Sequence, residues 1–204
     1  VLALVVACLC AFTVCAVHAA ESLKGRTYHF GTHPARTSIS FVSDAEFERI
    51  HGTTNRIRGS IRISADGTSA QGTLRVGVRT LDTGIAERNK HLQGTTWLHA
   101  DKHPTITLKL EKATEGEGGR WPFEGKLTVR GVSKPVKGTA RVVAFPRGTK
   151  QLGDGEWVRV RTKFEVKLSD YGIKIPQAVF EKVNDVWTIS IDIFGTTAKP
   201  KPAR

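Results

Sequence analysis

From residue 21 onward the chain is dominated by a period of two. Arg56-Ile57-Arg58-Gly59-Ser60-Ile61-Arg62-Ile63 sets charged or small residues against branched aliphatics, and Thr73-Leu74-Arg75-Val76-Gly77-Val78-Arg79 does the same. The pattern returns at Ser38–Phe41, Thr105–Leu110, Phe123–Val129, Thr139–Val142, Val158–Leu168 and Trp187–Ile193. Successive side chains of a strand point to opposite faces, so each run has one apolar and one wet face, the habit of antiparallel sheets. Turn-forming clusters fall between the runs at Asp66-Gly67, Glu115–Gly119, Gly131–Pro135 and Gly153-Asp154-Gly155. The sequence therefore predicts an all-β domain of eight or so strands. Such strands hide their dry faces either by closing into a barrel or by stacking as two sheets. The unusually long runs over 70–80 and 156–168 favour the barrel.

One segment breaks the period. Ile85, Arg88 and Leu92 stand at helical spacing, and Trp97–Ala100 adds a further turn before Pro104, so a short helical excursion near residues 84–100 is expected as a lid or end-plug. At the other extreme, Val1–Ala20 holds no charged residue and ends in the small residues Val17-His18-Ala19-Ala20. It reads as a cleavable secretory signal over 1–20. Val5-Val6-Ala7-Cys8 has the look of a lipoprotein acylation box, but apolar sequence continues past Cys8 with no spacer. Residues 21–196 then form one domain, and 197–204, rich in Lys and Pro, is expected to be a disordered tail.

Composition excludes several classes of function. All three cysteines (Cys8, Cys10, Cys15) lie in the signal, so the mature chain has no disulfide and no thiolate metal site. Lys and Arg total 31 against 19 acids, a net charge of +12. That balance favours anionic partners such as a membrane surface, with transient contact expected. The basic residues are scattered and carry no nucleic-acid motif, so no nucleic acid is expected. No Gly-x-Ser-x-Gly, His-Glu-x-x-His or phosphate loop is present, so no catalytic residue is assigned. Asp82, Asp101 and Asp170 sit beside turns, where carboxylates cap backbone amides. His91, His99 and His103 with Asp101 match no established ligand spacing, so neither a metal nor another cofactor is expected. The oligomeric state is not legible.

Several stretches together resemble one family. Thr80-Leu81-Asp82-Thr83-Gly84, Arg88-Asn89-Lys90-His91-Leu92, Trp97-Leu98 and His103–Thr107 are similar in order and spacing to the central signature of the YceI-like lipid/polyisoprenoid-binding proteins. So are Phe123–Val136 and Ser169-Asp170-Tyr171-Gly172-Ile173, and the resemblance covers roughly residues 26–195. It implies an eight-stranded, lipocalin-like antiparallel barrel in the periplasm, enclosing an apolar tunnel for an isoprenoid chain. Two departures concern one mouth of such a barrel. Tyr28–Pro34 replaces the family's short Asp-x-x-His-Ser opening, and Ser169 stands where an Arg is frequent.

The residues lead to a compatible expectation. The inward set is Ile39, Phe41, Ile57, Ile61, Ile63, Leu74, Val76, Val78, Ile106, Leu108, Leu127, Val129, Val142, Val160, Phe164, Val166, Ile189 and Ile191, with few large aromatics. Gly59 and Gly125 share its parity and would leave room inside, whereas Gly77, facing outward, marks a bend. Each buried methylene contributes about 0.8 kcal/mol, so a long chain could bind well without being measured precisely for length. Arg88 and His91 are the candidates for fixing a head group, with Leu92 and Trp97 beside them. The expected function is storage or carriage of an isoprenoid-type lipid, a polyprenyl chain or quinone. A filled-core envelope interaction or stress module, or an enzyme acting on a lipid, are the alternatives.

Cleavage after Ala19 or Ala20 is the first testable outcome. N-terminal sequencing of the exported protein should begin at Ala20 or Glu21; a retained apolar segment, or a lipid on Cys8, would show that this run is an anchor.

Overall fold

Alternation becomes ten strands in the computed structural model, which describes residues 23–146, 152 and 155–200. They are β1 (Thr27–Phe30), β2 (Ser38–Asp44), β3 (Arg49–Thr54), β4 (Ile57–Ile63) and β5 (Ser69–Gly77), followed by β6 (Thr105–Thr114), β7 (Arg120–Val129), β8 (Val132–Phe145), β9 (Trp157–Lys167) and β10 (Val186–Thr196). One α-helix, α1 (Ala86–Gln93), lies between β5 and β6. The signal over 1–20, Gly153-Asp154 of one turn and the tail beyond 200 lie outside the described residues. Residues 197–200 belong to no helix or strand.

Every pairing between the strands is antiparallel, and the sheet closes on itself. β1 pairs with β4 and β10, β2 pairs with β3 and β10, and β4 through β10 follow one another in order. β1 and β2 thus form one interrupted stave, β3 and β4 another, and the ten strands make an eight-stranded barrel. Two of these strands escape the alternation pattern for physical reasons. β1 is only four residues long, with Tyr28 and Phe30 facing in. β3 offers a single large apolar side chain, Ile50, because its other buried positions are Gly52 and Thr54.

Turn chemistry is local where it was legible. Asp66 accepts from the Ser64 hydroxyl and from the Thr68 amide at 3.0 Å, and these bonds hold its carboxyl down at about 2. Gly67 (φ 81) completes that β4–β5 turn. The β7–β8 connection is tighter than the Gly131–Pro135 loop expected from sequence. It is made by Arg130 (φ 51) and Gly131 (φ 78), and Val132–Pro135 already belongs to β8. Two positive φ angles suit the right-handed twist of a two-residue hairpin.

Gly59 and Gly125 need correction. Both face inward, but neither opens space. A Cβ on Gly125 would lie 2.4 Å from the Lys109 carbonyl oxygen, beside the irregularity at Leu110/Lys112 where β6 and β7 lose register. A Cβ on Gly59 (φ +144) would lie 2.0 Å from the Thr73 carbonyl. These glycines let neighbouring backbones approach closely.

Helix α1 is attached by polar ties more than by apolar burial. Leu92 is its one buried residue. Asn89 accepts at Oδ1 from the Thr83 amide and hydroxyl, both at 2.8 Å, and donates to Asp82 at 2.7 Å. Asp82 also receives the Gly84 amide at 2.8 Å, and these donors keep its carboxyl below the usual range. Its backbone meanwhile exchanges two hydrogen bonds with Thr53 of β3.

Two outcomes follow. Gly125→Ala should lower stability by about 1–3 kcal/mol in urea titration, the cost of forcing a side chain onto backbone; an unchanged midpoint would refute the close-approach account. Asn89→Ala should speed amide hydrogen exchange across 83–93 while the strand amides of the barrel keep their protection.

Candidate ligand channel and its mouth

The interior of the barrel is not filled. Ile61, Leu108, Leu110, Val142, Val160, Ile189 and Ile191 lie in strands and pack against the core, yet each keeps accessible surface. That surface faces two spaces in line. The deeper one, of about 80 Å³, is lined by Ile61, Val142 and Val160, with Tyr28, Phe30, Trp121 and Phe123 at its base. The outer one, of about 120 Å³, is lined by Ile39, Val76, Ile106, Leu127, Phe164 and Ile189. Leu74, Leu108 and Ile191 border both, so the two form one channel. The large aromatics absent from the expected inward set thus gather towards the base and the neck, Phe123 reaching Phe164 edge to face at 6.3 Å, and aliphatics line most of the length between. Along β9 and the residue after it the lining runs from Val158 to Leu168, which for tilted strands amounts to roughly 25 Å.

Beyond the outer space lies a vestibule of about 610 Å³ between α1, β3 and the segment 176–183. Its apolar wall includes Ile50, Leu92, Trp97, Val179 and Val183, and its charged wall includes Glu48, Glu87, Arg88, Lys90 and Lys182. Arg88 is bonded to Glu48 at 2.5 Å. Lys90 and His91 approach Glu87 at 3.0 and 3.5 Å. The two residues expected to hold a head group therefore line the mouth with a carboxylate already beside each.

Phe41 and Trp187 border both the vestibule and the channel, which makes them the neck. Their rings stack at 4.5 Å between centroids and 8° between planes. Phe41 sits opposite Gly52 in the β2–β3 register, and a Cβ there would lie 2.2 Å from its ring. The bare Cα of Gly52 on one side and the indole on the other hold the Phe41 ring in place. Trp187 is 7% exposed, and its indole Nε1 has no hydrogen-bond partner among the described residues.

The motif residues outside the lining act as scaffold for this end. Arg130 donates to the carbonyls of Gly172 and Thr95, both at 2.9 Å, and so ties the β7–β8 turn to the segments on either side of the mouth. Ser169 donates to Asp185 at 2.6 Å. Tyr28 and Phe30 lie at the channel base, so the two departures from the family pattern stand at opposite ends and not at one mouth. The histidines do not converge. His99 and His103 meet edge to face at 5.8 Å, His91 is on the helix, and Asp101 is bonded to Arg79. Desolvation, then Lys102, His99 and Arg130, lowers the His103 pKa. Among the described residues no three His, Cys, Asp or Glu side chains form a group that could hold a metal ion.

Most of the residues expected to bind a ligand border the channel or vestibule. Two do not. Val78 is buried in solid packing at 1% exposure, and Gly125 borders neither space. Trp187 was within reach, since it shares parity with Ile189 and Ile191. The wall supplied by Pro176, Val179, Lys182 and Val183 had no periodic signal, because that segment is a 3₁₀ turn and loop.

The barrel has solved counterparts. Burkholderia cenocepacia BcnA aligns with a TM-score of 0.68 over 81% of this chain and 99% of its own, at 17% identity. A polyisoprenoid binding domain from Saccharophagus degradans, implicated in plant cell wall breakdown, aligns at 0.63 over 85% and 99%, at 15% identity. Among curated proteins, a UPF0312 protein of Pectobacterium atrosepticum is 28% identical over 160 residues, 76% of this chain and 79% of that protein. A UPF0312 protein of Pseudomonas aeruginosa is 31% identical over 131 residues, 62% and 64% of the two chains. The YceI-like domain matches residues 30–194, from the end of β1 into β10, and the chain belongs to the YceI-like family.

Proposed function

We propose that this protein binds a long apolar chain of isoprenoid type in the barrel and carries or stores it unaltered in the periplasm. The observation that supports this most is the set of aliphatics that face inward and keep accessible surface on a channel whose neck residues, Phe41 and Trp187, also border the vestibule. An apolar cavity of this kind stays dry, so an entering chain gains contact without displacing bound water. At about 0.8 kcal/mol per methylene, even a partly inserted chain offsets the cost of ordering it. The polar groups on the channel lining are the hydroxyls of Tyr28, Ser40 and Thr162 and the indole N–H of Trp187, with no carboxylate, imidazole or amine among them, a poor basis for acid–base chemistry and a good one for passive holding. The Saccharophagus degradans neighbour, a polyisoprenoid binding domain, lends the isoprenoid class its support. The uncharged run over 1–20 supports export. The basic outer wall, where Arg120, Arg141 and Arg161 are successive cross-strand neighbours, suits transient contact with an anionic leaflet.

Organic extraction and mass spectrometry of the protein purified from its native compartment test the reading. An isoprenoid lipid should be recovered with the parent and with Lys126→Ala, which changes an outward side chain. Leu108→Trp, placed where the two spaces meet, should lose the lipid and keep a cooperative melt. A parent free of lipid, together with a strongly destabilised Leu108→Trp, would overturn the carrier in favour of a filled core. Turnover of a labelled lipid would overturn it in favour of an enzyme.

A further inference from the structure

The neck carries a feature that an apolar channel alone does not need. Trp187 is nine-tenths buried, and its Nε1–H meets no acceptor among the described residues. A buried donor left unpaired is costly, and buried indoles usually find a partner. Here it is retained on the residue that borders both the vestibule and the channel, against a Phe41 ring held by Gly52. The pair borders both spaces, so a chain passing from vestibule to channel runs against these rings. In doing so it brings its own atoms to the indole edge.

We propose that Trp187 is a specificity-determining residue: its Nε1–H donates a hydrogen bond to a neutral acceptor oxygen, a carbonyl or ether, at the head of the bound apolar chain. This rests on the lipid-binding reading above and adds where the polar end of the ligand is read and what charge it carries. The charges of the vestibule favour a neutral head. Arg88 is taken by Glu48 and Lys90 by Glu87, and His91 also approaches Glu87. Lys182 is the one cation on the wall without an acidic partner among the described residues, and both carboxylates remain close by. A diphosphate entering there would meet Lys182 at once but would have to draw Arg88 and Lys90 away from Glu48 and Glu87 to be fully neutralised, whereas a carbonyl needs one donor. Trp187 supplies that donor at the point where the apolar lining begins.

The test uses the full mature chain stripped of lipid and three probes with the same two-isoprene tail: a benzoquinone, the hydrocarbon and the diphosphate. Dissociation constants come from competition with a fluorescent apolar probe, for the parent and for Trp187→Phe, which keeps a ring to stack on Phe41 and removes the donor. The parent should prefer the quinone to the hydrocarbon, and Trp187→Phe should weaken the quinone about tenfold more than it weakens the hydrocarbon. Equal weakening of both would make Trp187 a wall and overturn the proposal. A parent that prefers the diphosphate would overturn the neutral head. A parent that binds none of the three would overturn the lipid-binding reading, and the proposal with it, which the other outcomes do not. Trp187→Tyr, which restores a donor on a ring, is the second variant should Trp187→Phe fold poorly; it should recover part of the quinone preference, and a failure to do so counts against the hydrogen bond.

Discussion

The architecture depends on β10 having three neighbours. Its eleven residues pair with β9 along their whole length, while its other edge is shared between β2, at Trp187–Asp192, and β1, at Gly195 and Thr196. That shared edge turns an open sheet into a closed wall and gives the apolar faces of all the strands a common interior. The same division produces the mouth. Where the first stave is interrupted between Phe30 and Ser38, and the second between Thr54 and Ile57, the barrel changes neighbours. β3 is left with β2 on one edge and only the Thr53–Asp82 bridge on the other. Helix α1 lies over this thinly paired edge, and the vestibule opens beneath it.

Closure alone does not decide whether an interior is solid. Here bulky rings gather towards the base and the neck, and aliphatics line most of the length between. Tyr28, Phe30, Trp121 and Phe123 fill the base, where burial holds the Tyr28 hydroxyl up at about 12 with help from Glu156. Mid-barrel, Leu108 and Ile191 keep accessible surface and border both spaces of the channel. The unfilled length forfeits dispersion contacts that a packed core would keep. A bound chain restores them.

The residues that make the chain resemble its family serve mainly to position this opening. Arg130 spans two carbonyls from separate segments, Asp82 and Asn89 fasten the helix to β3, and Asp185 receives Ser169. None needs to touch a ligand. Polar groups so placed hold one geometry at the mouth of a barrel whose interior has no directional interactions to do so, since hydrogen bonds are specific in angle and apolar contacts are not. The neck carries the opposite arrangement, a donor left free among rings.

Strand identity, the inward set, the Asp66-Gly67 turn and the helical excursion were legible because each rests on local physics: a side-chain period of two, a carboxylate within reach of the amide two residues on, a break in alternation. β3 was not legible, because Gly52 stands where an inward side chain would be and the Phe41 ring from the neighbouring strand fills the place. Gly125 showed its parity but not its purpose, since the Lys109 carbonyl that crowds it belongs to another strand. Whether the middle of the barrel was filled, which cations at the mouth were already paired, and that the Trp187 indole lacked an acceptor among the described residues were decided by residues far apart in the chain. The sequence by itself determined that there would be an inside and what would line it, because alternation assigns each residue a face. Only the tertiary structure decided how much of that inside stays empty and where it opens, because those depend on distances across the barrel axis that no local pattern encodes.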